Sequence, residues 1–481
     1  MVIVHKWEGF GRARRRGQDP NLQPSTIVDP ATVHVAFEYL TCATFWLLVG
    51  TVAGLLDAIK LNWPDVLAVP WLSFGRVRPI HTNTVFWGWS SMGLVGLALY
   101  VVARTSRAPL WSPTLSRVSL GLWNVAAAAG LITLSVGVTR GPQEYREWVW
   151  PVAVIFAAGL LLNGVNAYMT VATRKIPEIY VSNWYILGAF CFLPILFTTG
   201  YTPLYQHGLG NVVIQGYYMH TAVGMWFTML SLGISYYAIP LILGRPIYSY
   251  ALGVLGFWTN ILFYTLIGAH HFIFSPVPWW LQTTAILFSV GMMVPVWAGG
   301  CNLLLTFRGT SAVLQRTFSA PFLLAGIVAY VLVSTQGTLE AFRTANMYWH
   351  FTNFTVGHSH LSMYGFVAFV IWGAAYGLLP RLTGSEPNAI LVGIHFWLAL
   401  LGYVIYVISI SIAGSLQGLS WVAGEAFIRS VEAAEPLWLW RTAGGVLMVA
   451  SHLVFAVNVW AMRPGRALAH TPAPPAAEAA T

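Results

Sequence analysis

Six histidines in long apolar segments are the residues with the most evident chemistry. They are His81, His220, His270, His271, His358 and His360. Ionisable side chains inside membrane helices are costly, so they are functional-site hypotheses by default. Imidazole nitrogens in such positions are common ligands of haem iron and of copper. The six histidines therefore indicate a buried set of redox metals.

Helical spacing divides these histidines among different metals. Successive residues of an α-helix turn by about 100°, so His358 and His360 point about 200° apart and serve two centres. His81 is then free to pair with one of them as the two axial ligands of a low-spin haem. The other three histidines offer three nitrogens to one more metal, which copper suits, although iron binds the same set. The other histidine of the 358/360 pair would then be the only protein ligand of a five-coordinate haem. Iron and copper with open coordination positions next to each other could bind a diatomic gas.

The composition identifies the elements that must carry these residues. The chain has 481 residues, of which 57% are hydrophobic and 8% charged, whereas soluble domains carry about 25% charged residues. Twelve apolar segments are long enough to cross a bilayer as helices. They are residues 33–56, 77–104, 115–139, 149–173, 181–203, 215–243, 248–274, 278–307, 317–338, 351–380, 388–415 and 437–462. The sequence predicts an all-α integral membrane protein with about twelve transmembrane helices.

The basic residues predict the orientation of this bundle. Most of the 24 lysines and arginines lie at the two ends of the chain or in loops after even-numbered spans. The positive-inside rule therefore places both termini in the cytoplasm and all six histidines in the outer third of the bilayer. The predicted organisation is a cytoplasmic segment 1–32, a catalytic domain 33–462 and a disordered cytoplasmic tail 463–481. Because topology accounts for the net charge of +9, no nucleic-acid partner is expected.

Around these histidines the sequence resembles the catalytic subunit I of haem–copper oxygen reductases, specifically the C family of cbb3-type cytochrome c oxidases. The resemblance implies the haem–copper oxidase subunit I fold, which also has twelve spans. The matching stretches are residues 73–83, 181–185, 220–224, 244–250, 264–271, 295–302 and 355–360.

The resemblance also implies a role for each matching residue. His81 and His360 are similar in position to the axial ligands of a low-spin haem b, and His358 to the proximal ligand of a high-spin haem b. The copper ligands implied are His220, His270 and His271. Tyr264 matches a tyrosine that is cross-linked to a copper ligand, and Arg76 and Arg78 lie where arginines hold haem propionates.

The spacing between Tyr264 and His270 also supports a catalytic role for this tyrosine. Six residues on one helix place it about 9 Å inward of His270. A phenol there can give both an electron and a proton when an O–O bond is split. We therefore expect Tyr264 to be catalytic.

The proton path of the resembling family is only partly matched. Asn302 matches, and Tyr237, Ser249 and Tyr250 are candidates to contribute. Gln336 stands where the family has an acid, and a glutamine cannot carry a proton. Glu340 lies one helical turn further on and is expected at the outer surface, and Gly253 replaces a family serine. These changes put proton pumping in question.

Two other functions compete with an oxidase. A nitric oxide reductase of the same superfamily would use non-haem iron and a glutamate close to the first metal histidine. Residues 221–225 after His220 contain no carboxylate, and Tyr264 is retained, so oxygen is favoured, although the weakened proton path favours nitric oxide. A transporter would show inverted repeats around a midplane site, and the sequence shows none.

The sequence thus predicts a terminal respiratory oxidase of a bacterial inner membrane that reduces O₂ to water. The chain has no Cys-x-x-Cys-His haem-attachment motif. Membrane subunits that carry haem c are therefore expected as partners, with cytochrome c or a similar protein as electron donor. Glu144 and Glu147 on the outer face are candidates to hold a calcium ion near the haems.

Overall fold

The computed structural model describes residues 29–141, 143–203 and 207–464. Apart from the few residues that flank the first and last helices, the predicted terminal segments 1–32 and 463–481 lie outside this part. The described residues form helices and loops, without a β-strand.

Twelve helices, numbered α1 to α12, correspond to the twelve predicted spans. Within the described ranges, eleven are long and apolar enough to cross a membrane, and α7 is shorter. Their bounds are Pro30–Asn62, Phe74–Thr105, Pro113–Ser135, Trp150–Ala172, Val181–Tyr201, Gly208–Leu243, Tyr250–Tyr264, Trp279–Thr306, Ser319–Glu340, Asn353–Thr383, Ala389–Val422 and Phe427–Ala461. The all-helical membrane fold is therefore as predicted.

The helix ends follow local sequence signals. The side chain of Asp29 accepts a hydrogen bond from the backbone N–H of Thr32, and Pro30 occupies the first turn of α1. Helices α6 and α10 both end at a glycine in the left-handed conformation, Gly244 with φ 63° and Gly384 with φ 68°. Such a residue at the end of a helix redirects the chain, and glycine adopts it without a Cβ penalty.

The seventh span is the main departure from the sequence prediction. Residues 248–274 do not form one helix: α7 stops at Tyr264, and a 3-10 turn follows at Gly268–Phe272. A Cβ on Gly268 would lie 2.7 Å from the Cα of Tyr217 in α6, so the two backbones touch there. The prediction that Tyr264 and His270 share one helix is therefore wrong. The close approach lets the 3-10 turn present its residues to α6.

Three helices form the interior of the bundle. The apolar windows of α2, α6 and α10 are each 94% buried, whereas those of the other long helices are 39–56% buried. Each of the three changes to π-helical geometry, at Thr84–Ser90, Ala222–Thr228 and Leu361–Ala368. The change comes within three residues of a histidine in every case. π-Helical turns are frequent at functional sites, and here they mark the helices that carry metal-ligand candidates.

The first and last helices run antiparallel. Asn62 donates a hydrogen bond to the carbonyl of Trp438 (3.3 Å), and Thr51 lies against His452 (3.1 Å). Pro30 and Ala461 therefore lie at the same end of the bundle, which we call the terminal face. The six histidines lie nearer the opposite end, which we call the site face, because α2, α6 and α10 all begin there.

Candidate redox metal centre

Three histidines converge on one point at the site face. His220 comes from α6, and His270 and His271 come from the 3-10 turn after α7. The Nδ1 of His220 lies 3.0 Å from the Nε2 of His270 and 2.7 Å from the Nε2 of His271. Within the described part of the chain, this trio is the group of metal-binding side chains whose ligand atoms all lie within 4.8 Å of one another.

The geometry of the trio fits one metal ion. Nitrogens bound at about 2.0 Å to one ion lie about 3.3 Å apart, close to the distances here. Ser289 of α8 donates its hydroxyl hydrogen to the carbonyl of Ala285 (2.7 Å) and lies 2.7 Å from the Nδ1 of His270. The serine must therefore accept from Nδ1–H, which leaves the Nε2 lone pair of His270 for a metal. Such outer partners fix the tautomer of a ligating histidine.

Tyr264 packs against this trio. Its ring centre lies 5.1 Å from that of His220. The contact depends on a glycine in the π-helical turn of α6, since a Cβ on Gly224 would lie 1.8 Å from the Tyr264 ring. The tyrosine therefore reaches the site from the end of α7, although it shares no helix with His270.

His81 of α2 and His360 of α10 face each other. Their ring centres lie 6.2 Å apart with planes 15° from parallel. Two metal–nitrogen bonds of about 2.0 Å on either side of one iron would separate ring centres by about 6 Å, so the spacing fits a haem with two axial histidines. The Nδ1 of His81 is 2.7 Å from the carbonyl of Gly50, and that of His360 is 2.9 Å from the carbonyl of Val356. Each Nε2 is thereby left free for iron.

Helix α1 can pack closely against His81 because it has a glycine, Gly54, at the point of contact. A Cβ on Gly54 would lie 2.5 Å from the Nδ1 of His81. The glycine thus permits the contact that brings the Gly50 carbonyl to the imidazole.

His358 has a different partner from His360. Its Nδ1 lies 3.1 Å from the Oε1 of Gln336, a hydrogen bond, and also 3.1 Å from the Oε1 of Glu340. The Glu340 side chain is only 15% exposed, so the expectation that it sits at the outer surface is wrong. Both residues lie on one face of α9, one helical turn apart, and that face turns toward α10. His358 therefore has a partly buried acid and a partly buried amide at its outer nitrogen.

The loop between α3 and α4 carries the predicted outer acids. Glu144 forms an ion pair with Arg78, while Arg76 donates to the carbonyl of Ser135 (3.0 Å). Glu147 is almost fully buried and accepts from the side chain of Asn83 (2.9 Å). Burial raises the pKa of Glu147, against the lowering effect of this hydrogen bond. The loop is thus locked onto the start of α2 by two carboxylates.

The predicted proton-path residues do not lie together, and Gln336 is the one at His358. Asn302 accepts from the backbone N–H of Ser249 (2.8 Å) and donates to its carbonyl (2.7 Å). The neighbour of Asn302 on α6 is Tyr236, at 3.5 Å. Tyr237 instead packs against Tyr100 of α2, with ring centres 6.1 Å apart.

Another predicted residue of the path, Tyr250, donates to the carbonyl of Ile179 (3.3 Å). Tyrosines that the sequence analysis did not select continue from Asn302 instead. The hydroxyl groups of Tyr236 and Tyr330 each lie 3.8 Å from where a Cβ on Gly299 would be. Tyr236 and Tyr237 are consecutive on α6 and therefore face different neighbours. Only their contacts in the structure show which of the two lies beside Asn302.

Comparison with known proteins places this chain in a family. Residues 34–447 match the family model of cytochrome c and quinol oxidase polypeptide I. The chain is 33% identical over 448 residues to the cbb3-type cytochrome c oxidase subunit CcoN1 of Stutzerimonas stutzeri, covering 89% of this chain and 94% of that one. It is 32% identical over 442 residues to a cytochrome c oxidase subunit 1 homolog of Azorhizobium caulinodans, covering 87% and 80%.

A solved structure shares the fold. The cryo-EM structure of a heme-copper terminal oxidase dimer matches 92% of this chain and 85% of its own chain, with a TM-score of 0.70 at 15% identity. The predicted family and fold are therefore confirmed, as is the terminal-oxidase function, and the nitric oxide alternative is not favoured. The family implies haem and copper, which the histidine geometry fits. The chain belongs to the cytochrome c and quinol oxidase polypeptide I family, as subunit I of a haem–copper terminal oxidase in a multi-pass membrane fold.

Proposed function

We propose that this chain is the catalytic subunit of a cbb3-type oxidase and that its six histidines divide as the sequence predicts. His81 and His360 would hold a low-spin haem b, His358 a high-spin haem b, and the converging trio copper. When bound, the two haems and the copper supply electrons and an O₂-binding site. The convergence of His220, His270 and His271 beside Tyr264 is the observation that carries this proposal.

Tyr264 is the residue that acts on the bound gas. Its ring lies against His220 and Gly224 of α6 and is half-buried. There it would donate one electron and one proton when the O–O bond is split, so the phenol must afterwards recover both. We propose that the recovered proton comes through the protein.

A polar route toward Tyr264 begins at Ser249 and Asn302, near the terminal face. Tyr236 follows at hydrogen-bonding distance from Asn302, and Tyr330 lies across Gly299 from Tyr236. We assign proton delivery to this route rather than to Tyr237 and Tyr250. Tyr236→Phe should then slow O₂ turnover by about tenfold or more, whereas Tyr237→Phe should leave it unchanged. The reverse result would transfer the route to Tyr237.

Electrons enter from the site face. Cytochrome c, through membrane subunits that carry haem c, is the proposed donor, and the name of the Stutzerimonas stutzeri relative supports this type of oxidase. The proposal places the site face outside the cell and both termini in the cytoplasm, in accord with the basic loops at the terminal face. A cysteine-accessibility experiment on the loop between α11 and α12 would test the orientation.

The metal of the trio is proposed to be copper rather than non-haem iron. In the described ranges the three-histidine group includes no Asp or Glu side chain, whereas a non-haem iron commonly has a carboxylate among its ligands. The partly buried acid Glu340 lies instead at His358. A calcium ion held by Glu144 and Glu147 remains a prediction; Arg78 already forms an ion pair with Glu144, and Asn83 donates a hydrogen bond to Glu147.

Metal analysis of the purified complex, together with O₂ and NO consumption, tests the proposal. We expect copper near one equivalent per chain, two haems, and fast O₂ uptake with reduced cytochrome c. His271→Ala should remove the copper and leave both haems, while Thr173→Ala, on the opposite side of the bundle, should change neither. Iron in place of copper, with NO turnover and slow O₂ uptake, would overturn the assignment.

A further inference from the structure

Two arginines of the loop between α3 and α4 lie side by side at the site face. Arg140 and Arg146 each donate a hydrogen bond of 2.9 Å to the same oxygen, the carbonyl of Gly200 near the end of α5. Because one oxygen accepts from both, the two guanidinium groups are neighbours. Arg146 is only 1% exposed, so one of the two cations is enclosed by protein. We call these two arginines, with Tyr201 and Tyr218, the arginine cluster.

A tyrosine ring lies against each guanidinium group. The Cζ of Arg140 is 4.9 Å from the ring centre of Tyr201, and the Cζ of Arg146 is 5.7 Å from that of Tyr218. The two rings meet edge to face, with centres 6.1 Å apart. The quadrupole of an aromatic ring attracts a cation, but the ring carries no net charge. The tyrosines therefore position the two cations without neutralising them.

The arginine cluster is built into the packing of α5 against α6. A Cβ on Gly200 would lie 2.3 Å from the Tyr218 ring and 3.3 Å from the Cδ of Arg146, so the cluster closes only over a glycine. Asn211, in the first turn of α6, accepts a second hydrogen bond from Arg146 (2.9 Å). Arg146 thereby joins the end of α5 to the start of α6, the helix that carries His220.

Arg146 has no acidic partner. None of the ion pairs among the described residues includes it. The two acids of the same loop are engaged elsewhere: Glu144 pairs with Arg78. Glu147 accepts a hydrogen bond from Asn83 of α2 instead. Buried charges are normally paired with an opposite charge, so Arg146 requires a counter-ion that this part of the chain does not supply.

The surroundings of Arg146 also disfavour its charge. Burial, and next the positive charge of Arg140, lower the pKa of Arg146. Glu147 opposes this lowering less than the two tyrosines do. The neighbouring acid in the sequence therefore compensates little of the charge.

Two buried donors of the arginine cluster have no hydrogen-bond partner among the described residues. They are the Nε–H of Arg146 and the hydroxyl of Tyr201, which is 7% exposed. A guanidinium can only donate, and a phenol hydroxyl can donate as well as accept. A buried donor that is left unpaired costs its full desolvation penalty. Two unpaired donors beside two positive charges match an anion better than a water molecule, which carries no charge.

We propose that the arginine cluster binds one small monovalent anion, chloride in ordinary solutions, held by the Nε–H of Arg146 and the hydroxyl of Tyr201. The ion would accept from both donors and supply the negative charge that the cluster lacks. The enclosure of Arg146 favours a small ion over a lipid headgroup or a side chain of another subunit, since both of these need an open surface. The bound ion would tie the loop between α3 and α4 to the ends of α5 and α6 that meet there.

X-ray diffraction from crystals of the complete oxidase grown in bromide tests the site directly. We expect an anomalous peak in contact with the Nε of Arg146 and the hydroxyl of Tyr201. Arg146→Gln removes the charge and should remove the peak. Arg429→Gln is the matched control, because Arg429 is an exposed arginine of the site face that is already paired with Glu432, and it should retain the peak. Water without anomalous signal at these donors, or a carboxylate of another subunit, would overturn the proposal.

Thermal unfolding of the complete oxidase in chloride and in gluconate, at one ionic strength, tests binding in solution. A ligand that binds only the folded state raises stability in proportion to the logarithm of its saturation term. We therefore expect the melting temperature of the parent and of Arg429→Gln to rise with chloride. Tyr201→Phe should require about tenfold more chloride for the same rise, the effect of one lost hydrogen bond to a charged group.

Arg146→Gln should abolish the dependence of the melting temperature on chloride. If this variant does not fold, Tyr201→Phe carries the test alone, because it keeps both guanidinium groups. A parent that melts at the same temperature in chloride and in gluconate would overturn the proposal. A parental chloride dependence in Tyr201→Phe and in any Arg146→Gln protein that folds would do the same.

Discussion

Two histidines only two residues apart on α10 lie in different surroundings. His360 faces a second imidazole, His81, and the Nδ1 of each is held by a backbone carbonyl. Among the described residues no imidazole faces His358 at that range, and its Nδ1 is held by the side chains of Gln336 and Glu340. One side of the helix thus forms what we call the closed site, where an iron would have two histidine ligands, and the other forms the open site, where an iron would have one. The residue type is the same, and the opposing helix determines the chemistry.

The two Nδ1 partners also differ in charge. A carbonyl accepts the imidazole hydrogen and leaves the ring neutral. A carboxylate draws the hydrogen more strongly and gives the ring anionic character, which favours the oxidised form of an iron bound to it. We infer that the closed site relays electrons and that the open site is tuned to bind and reduce gas.

The largest effects are expected when one of these two histidines is removed at a time. His360→Ala should delete the low-spin haem and retain the high-spin one, and His358→Ala should do the reverse. Both should reduce O₂ turnover by more than about 100-fold, since even changes beyond the direct ligands cost 10–100-fold. Reduced-minus-oxidised and carbon monoxide difference spectra would distinguish the haem that is lost.

His395→Ala serves as a control for loss of a buried histidine as such. It should leave both haem spectra intact, because His395 contacts Tyr376, Trp372 and Phe455, none of which is a proposed metal ligand. If either α10 variant lost both haems in equal measure while His395→Ala lost none, the separate assignment of the two sides would be wrong.

Tyr264→Phe addresses the open side alone. The ring and its contact with His220 would persist, but the phenol hydrogen would be gone. We expect both haems and copper at parental levels and a fall in O₂ turnover of about 100-fold or more, the range for loss of a positioned proton donor. Stopped-flow optical spectroscopy with metal analysis would measure both.

Tyr217→Phe is the matched control for this change, because Tyr217 also lies on α6 near the site, where its backbone approaches Gly268. It should keep most of the activity. Parental turnover in Tyr264→Phe would mean that the tyrosine packs against the site without acting in it.

The comparison also shows what a sequence reveals and what it hides. Helical periodicity alone predicts that His358 and His360 face opposite ways, because it depends on backbone geometry that every α-helix shares. The side chains that face these two histidines from neighbouring helices could not be predicted from the sequence. The sequence predicts Glu340 at the outer surface. Its position, four residues after Gln336 on an apolar helix, does not show which neighbouring helix covers that face.

The seventh span illustrates the same limit. Its hydrophobicity predicts a continuous helix through His271, but hydrophobicity does not register the backbone contact of Gly268 with α6. Likewise Tyr236 and Tyr237 are adjacent and chemically identical in sequence. Only packing puts the first beside Asn302 and the second beside Tyr100.

Single substitutions at the two partners of His358 test directly whether their charge affects the open site. Glu340→Gln removes the carboxylate and should raise the midpoint potential of the high-spin haem by about 60 mV, a tenfold change for one electron. Gln336→Glu places an acid at the hydrogen-bonded position and should lower it. The low-spin haem should not move in either variant, which makes it an internal control in the same redox titration.

A lowered iron–histidine stretching frequency in the resonance Raman spectrum of Glu340→Gln would show that the effect passes through His358. A purely structural role would instead alter both haems or neither. Equal potentials in the parent and in both variants would show that the acid at His358 does not tune the open side.

The smallest expected effect is confined to the closed side. A Cβ on Gly54 would lie 2.5 Å from the Nδ1 of His81, so Gly54→Ala must push α1 away or turn the imidazole. Either movement lengthens the hydrogen bond to Gly50 while the His358 side stays intact. Overpacking of this size typically costs about 1–3 kcal/mol, so we expect a lower melting temperature and a shifted low-spin haem band, with most O₂ turnover retained. Gly121→Ala on α3, where a Cβ meets no atom within 4 Å, is the matched control. An unchanged low-spin spectrum in Gly54→Ala would mean that the contact with α1 does not position His81, and the closed side would then depend on α2 and α10 alone.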